Sequence, residues 1–172
     1  MRSVRILVLA LYSTCIALAC VGAPPVAAEP MFAAPFVSYD TGGHDASSVA
    51  IADVDEDGRP DILALHEGEE AGPYGVITVL LSNGDGTFRK FIDVPTPWNP
   101  TELAVGDLDR DGHLDLAVAD GRTSVDVLHG VGNGSFVSNS AYGAGLGARS
   151  VVNSDLNGDL WPDLVVANWQ AD

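Results

Sequence analysis

The chain has only two cysteines in 172 residues, and both, Cys15 and Cys20, lie near its start. No disulfide can form within the chain downstream of them, so a small exported fold would need another staple, a role that bound metal can fill. Basic residues are scarce too: eight Lys and Arg stand against 24 Asp and Glu, for a formal net charge of −16. That balance argues against nucleic acid or an anionic membrane surface as a partner. There is no Gly-x-Ser-x-Gly elbow and no glycine-rich phosphate loop, and helix signals are nearly absent. One long apolar run occurs, Ile6 to Val21.

That run reads as an export signal spanning residues 1–28. Arg2 and Arg5 supply the basic start, and Val26-Ala27-Ala28 offers small residues for cleavage before Glu29. Tyr12, Ser13 and Thr14 interrupt a run already short for a membrane span, so no transmembrane segment is expected in the mature chain. The chain is therefore expected to be secreted, or periplasmic. Acylation of Cys20 is the lesser alternative, because Ala17-Leu18-Ala19 departs from the usual leucine-first pattern.

What the sequence has in abundance is acid at fixed spacing. A nine-residue pattern opens at Asp53, again at Asp107 and again at Asp155. Positions 1, 3, 5 and 9 carry Asp53, Asp55, Asp57 and Asp61 in the first copy. In the second they carry Asp107, Asp109, Asp111 and Asp115, and in the third Asp155, Asn157, Asp159 and Asp163. Half of all the acids sit in these loops. Alternate residues of a tightly curled loop point inward, so oxygens 1, 3 and 5 converge and position 9 can close the shell. Like charges about 4 Å apart repel by roughly 4 kcal/mol at an effective dielectric near 20, which a cation would cancel. An all-oxygen set suits calcium, and suits magnesium less because that ion demands a smaller octahedral cage. An isolated acidic run would be a solvated turn, but three copies in one phase argue for a built site. An EF-hand is excluded, since position 12 is Ala64, Val118 or Val166 inside a strand-like run. A catalytic carboxylate pair fits poorly with four oxygens repeated in three places.

Each loop sits between short apolar segments. Val49–Ala52 precedes the first and Ile62–Leu65 follows it; then come Val76–Leu81, the turn Asn83-Gly84-Asp85-Gly86, and Phe88. Leu103–Gly106, Leu116–Ala119, Val125–Leu128, Gly132-Asn133-Gly134 and Phe136 repeat that order. Phe88 and Phe136 each stand 19 residues before the next acidic loop, so the six extra residues of the first copy belong to the turn at Glu67–Tyr74. The pattern predicts an all-β fold: an incomplete β-propeller with two four-stranded blades plus the start of a third. The expected blades are residues 32–90, 91–138 and a truncated 139–172 within a repeat region at 29–172. The third copy lacks its hairpin, so the chain is expected to be a fragment of a longer repeat protein. Its exposed strand edges are expected to allow edge-to-edge self-association.

The Asp loops, the strands that leave them and the Gly-Asp-Gly-Thr-Phe hairpin resemble the FG-GAP/VCBS repeat family, which is related to the calcium-binding propeller of integrin alpha subunits. The resemblance covers about residues 32–172. It implies that calcium takes side chains 1, 3, 5 and 9 and the backbone carbonyl at position 7, which here is Arg59, His113 or Trp161. It also implies a non-catalytic interaction or adhesion scaffold, with a protein or carbohydrate ligand. The alternative is a carbohydrate-binding module using Trp98, Trp161 and Trp169, or an accessory part of a polysaccharide-degrading enzyme. Two departures single out the third loop as the weakest: Asn157 lowers its charge, and Leu160 stands where Gly58 and Gly112 stand. Of the histidines His44, His66, His113 and His129, only His113 shares a loop register, and its imidazole is expected to face water.

Overall fold

The computed structural model describes residues 38–41, 44–67 and 74–169. The export signal with Cys15 and Cys20, the leader at Phe32 and Phe36, and most of the turn assigned the six extra residues lie outside them. The described residues hold ten strands and no helix, so none is a helix long and apolar enough to cross a membrane. The strands are β1 (His44–Ala52), β2 (Asp61–Glu67), β3 (Tyr74–Ser82), β4 (Phe88–Trp98), β5 (Glu102–Gly106), β6 (Asp115–Ala119), β7 (Ser124–Gly130), β8 (Phe136–Gly143), β9 (Ala148–Ser154) and β10 (Asp163–Asn168).

They form three antiparallel sheets, ordered β1-β2-β3-β4, β5-β6-β7-β8 and β10-β9, not closed into a barrel. Every short apolar segment picked out beside the acidic loops and turns is a strand, because short β-branched runs between turn residues can satisfy their amides only by pairing laterally. The outer strands run past the divisions expected at residues 90 and 138. β4 continues until Trp98 meets Tyr74, and β8 until Gly143 meets Ser124, so that the whole third strand of each sheet is paired. Pro95 and Pro97 lie on β4, an edge strand, where a missing N–H costs no ladder bond on the open side.

Two-residue periodicity gives each sheet two apolar faces. In the second sheet Leu103, Leu116, Val118 and Leu128 face the first, against Leu63, Leu65, Ile77, Val79 and Leu81. The alternate residues Ala104, Ala117, Ala119 and Val125 face Val151, Leu164 and Val166 of the strand pair β9–β10. Leu63, Leu65, Ile77 and Leu116 are fully buried, each worth about 1.5–3 kcal/mol relative to exposure. Val49 and Ile51 on β1, and Val152 and Val165 on β9–β10, remain exposed. On the outer side of the first sheet, Thr78 Oγ1 lies 2.9 Å from His66 Nε2, 2.7 Å from Asp93 Oδ1 and 3.2 Å from Thr41 O, within a buried polar network.

Candidate metal loops

The acidic loops join the first and second strands of each sheet: β1 to β2, β5 to β6 and β9 to β10. Their backbone follows one plan. The position-1 carboxylate accepts the amide of position 6: Gly58 to Asp53 at 2.8 Å, Gly112 to Asp107 at 3.2 Å and Leu160 to Asp155 at 2.9 Å. Position 3 accepts from position 5, as in Asp57 to Asp55, Asp111 to Asp109 and Asp159 to Asn157. Position 5 accepts from position 7, through the amides of Arg59, His113 and Trp161 at 2.8–2.9 Å. Short Asp and Asn side chains curl the chain in this way because they hydrogen-bond their own backbone two residues on.

The curl brings the carboxylates together. One oxygen from each of Asp53, Asp55 and Asp57 lies within 4.8 Å of the others, and the same holds for Asp107, Asp109 and Asp111. Asp107 Oδ1 is buried and has no hydrogen-bond partner. An orphaned anionic oxygen inside a ring of carboxylates is the environment a cation would satisfy, so the donor set fits a hard, oxygen-preferring ion. In the first loop the Arg59 guanidinium folds back onto Asp57, with Nη1 3.1 Å from Oδ2. Around Asp155, amides from Gly158 and Leu160 hold the carboxyl below the usual carboxylate range.

Position 9 has a second job. Asp61 is fully buried and accepts the amides of Val54 at 3.0 Å and Ser82 at 2.8 Å, the latter just past the end of the third strand's apolar run. Asp115 does the same with Leu108 and Gly130, both at 2.9 Å. Each clasp ties the loop to the third strand of its own sheet. Burial pushes the Asp61 carboxyl above the usual range, against the pull of those two amides. Asp163 keeps only the near half, accepting Leu156 at 3.0 Å. Carboxylate oxygens have more than one lone pair, so an amide bond does not by itself bar a position-9 oxygen from a cation.

Positive φ falls at two positions of every loop. Glu56, Arg110 and Gly158 at position 4 have φ of 59°, 62° and 80°; Gly58, Gly112 and Leu160 at position 6 have 84°, 95° and 70°. Leu160 therefore adopts the same left-handed conformation as the two glycines it stands in for. The third loop nevertheless has its glycine at the other such position, so each loop holds one non-glycine residue there.

Neighbouring loops touch through the same pair of positions. Glu56 at position 4 of the first hydrogen-bonds His113 at position 7 of the second. Arg110 at position 4 of the second lies over the ring of Trp161 at position 7 of the third, 5.2 Å from its centroid. The His113 ring is therefore partnered as well as half exposed, and the Glu56 contact raises its pKa. Sequence reading missed Glu56 as a contact residue. It also missed His129, whose Nδ1 lies 3.1 Å from Asp109 Oδ2 and 3.6 Å from Asp115 Oδ1, out of line for a hydrogen bond. Of the tryptophans, Trp169 lies under Arg149 at 5.7 Å, and only the backbone of Trp98 is described.

Two stretches of the chain, residues 70–118 and 107–166, match the family model for the FG-GAP-like repeat. The chain is also similar to integrin alpha pat-2 of Caenorhabditis elegans, 28% identical over 171 residues. That alignment takes in 78% of this chain but only 14% of the nematode protein's length.

Proposed function

The chain belongs to the FG-GAP-like repeat family, and on that premise we propose that it is an exported, calcium-pinned β-propeller module that binds a protein partner and catalyses nothing. The three sheets are its blades, running from His44 to Trp98, Glu102 to Gly143 and Ala148 onward, within a repeat region at 29–172 that follows a signal at 1–28. The chain is a piece of a longer repeat protein on this reading.

The observation that carries the reading is the recurrence of one loop geometry in three places, with Asp107 Oδ1 of the second loop left buried and unpartnered. Calcium would be held by Asp53, Asp55, Asp57 and Asp61, by Asp107, Asp109, Asp111 and Asp115, and by Asp155, Asn157, Asp159 and Asp163, with the carbonyls of Arg59, His113 and Trp161. Its chemistry would be charge cancellation at a strand-to-strand turn. The carboxylates are tied into their own loop backbones rather than facing each other across a cleft, which favours a structural role over general acid–base work. Likeness to an integrin alpha subunit supports a protein ligand. Arginines over Trp161 and Trp169 leave less open aromatic surface for sugar stacking, which weighs against the carbohydrate alternative.

Two measurements test the proposal. A ligand bound only by the folded chain raises its melting temperature by mass action, so millimolar calcium should raise it, EGTA should lower it and magnesium should act more weakly. The immobilised chain should retain one or more of a panel of purified extracellular-matrix proteins in a chelator-sensitive manner. An unchanged melting curve would defeat the metal reading, and turnover of a polysaccharide would defeat the non-catalytic one.

A further inference from the structure

His129 is where the second sheet departs from the first. In the first sheet Leu81 pairs with Arg89 and Ser82 with Phe88. In the second, His129 pairs with Val137 and Gly130 with Phe136, so His129 holds the register of Leu81. Leu81 is buried in the apolar core. The imidazole in its place stands beside the second acidic loop, and one ligand atom from each of Asp109, Asp115 and His129 lies within 4.8 Å of the others.

The ring nitrogen in that group is unsatisfied. His129 Nδ1 is buried without a hydrogen-bond partner, although Asp109 Oδ2 lies 3.1 Å away and Asp115 Oδ1 3.6 Å away. A proton on Nδ1 would aim past both oxygens, so even a charged ring would pair with them only at a poor angle. An orphaned buried polar atom calls for a partner, and a nitrogen flanked by two carboxylates offers a cation a mixed donor set. Both carboxylates are already held in place. Asp109 Oδ1 accepts the amide of Asp111 at 3.1 Å, and Asp115 accepts those of Leu108 and Gly130. Donors fixed in advance surrender little entropy on binding.

A tetrahedral ion with bonds of about 2.1 Å holds adjacent ligand atoms roughly 3.4 Å apart. The two N···O separations at His129 fall on either side of that value. Imidazole nitrogen suits zinc and its transition-metal neighbours, whereas calcium and magnesium prefer oxygen alone. We infer that His129 Nδ1, Asp109 and Asp115 form a zinc site, one that the first loop, with Leu81 in the same register, cannot make. Three protein ligands leave a fourth position open. A cavity of about 190 Å³, lined by Leu108, Asp109, Val127, His129 and Tyr142 among others, borders the group and gives ion and water a way in. Nitrogen ligation is separate from the calcium reading and needs no ion in the first or third loop. Asp109 and Asp115 belong to both donor sets, so the two ions compete for the second loop.

The test uses the full chain freed of metal, with zinc chloride as the probe. Long-range proton–nitrogen NMR of the histidine rings reads the site directly. Zinc should move the Nδ1 signal of His129 to its metal-bound position and leave the rings of His44, His66 and His113 unchanged. In calorimetry His129→Gln and His129→Leu should each weaken zinc binding about tenfold or more, with the response to calcium the same as the parent's. Leucine is the first sheet's own residue at this register, and if either variant fails to fold the parent's ring spectrum decides. No zinc binding, zinc taken up at the other histidines, or parent-like affinity in both variants would overturn the proposal. Zinc at His129 in a chain indifferent to calcium leaves this site standing and strikes the calcium reading. A calcium response without zinc at His129 strikes this site alone.

Discussion

Replacing Asp115 with alanine separates the two jobs of a position-9 carboxylate. Asp115 is fully buried, and the amides of Leu108 and Gly130 both end on it at 2.9 Å. Truncation leaves two N–H groups without their acceptor, that of Gly130 buried and that of Leu108 half-buried. Each orphaned group costs about 1–3 kcal/mol, and relief from burying a charge offsets part of the sum, so a net loss of about 3 kcal/mol is expected. Asp163 makes one such bond, to Leu156, and is partly exposed, so water can replace it. Its truncation should cost about 1 kcal/mol or less. The comparison is made by urea unfolding in EGTA, where metal ligation contributes nothing. With a slope of about 1–3 kcal/mol per molar, the Asp115→Ala midpoint should fall by about 1–3 M and the Asp163→Ala midpoint by a few tenths. Equal losses for the two variants would refute the clasp. So would an Asp115 penalty that appears only with calcium present.

Three further outcomes are expected. Burial pushes the Asp120 carboxyl up, but hydrogen bonds from Ser124 and Arg122 outweigh it and hold the folded pKa below 3.8. Its contribution is therefore present above that value and lost as pH falls through the folded pKa, so Asp120→Asn should be less stable at pH 7 and converge on the parent in strong acid. Asp61, whose folded pKa is raised, contributes with the opposite sign, its share being lost as pH rises past 3.8. Leu160→Gly should gain about 1 kcal/mol in urea unfolding by relieving the φ of +70°, and Gly158→Ala should lose a similar amount; a neutral Leu160→Gly would mean that the turn stores no strain. The parent should self-associate with rising concentration in light scattering, through the open edge of β10 and the exposed Val152 and Val165, and Val165→Lys should reduce this. A strictly monomeric parent would refute that.

Local patterns made much of this legible. The strands could be read because Val, Ile, Leu and Ala fall in short runs bounded by Gly and Asn, and the loops because side-chain oxygens recur at alternate positions. The clasps could not, because Asp61 meets Ser82 and Asp115 meets Gly130 only after a third strand has returned beside the loop. The same distance hid His129 beside Asp109. The turn conformation was half legible: Leu160 stood out against two glycines, but Glu56 and Arg110 carry no mark of positive φ. The ends of β4 and β8 were missed because polar residues and prolines conceal pairing that the third strands dictate.

The links from Glu56 to His113 and from Arg110 to Trp161 give the three loops the character of a one-dimensional array. When one loop is stiffened, its position-4 residue, or its position-7 residue, is already in place for the neighbour. The second loop to order then surrenders less conformational freedom than the first, as in stacked repeats whose stability is summed over nearest neighbours. If cations fill the loops as proposed, they should do so with a Hill coefficient above one, and breaking a single link, as in Glu56→Ala, should uncouple the first loop from the other two. At position 4 of the third loop Gly158 has no side chain to offer, so among the described residues the chain of links runs from Glu56 to Trp161, and each link acts equally in both senses.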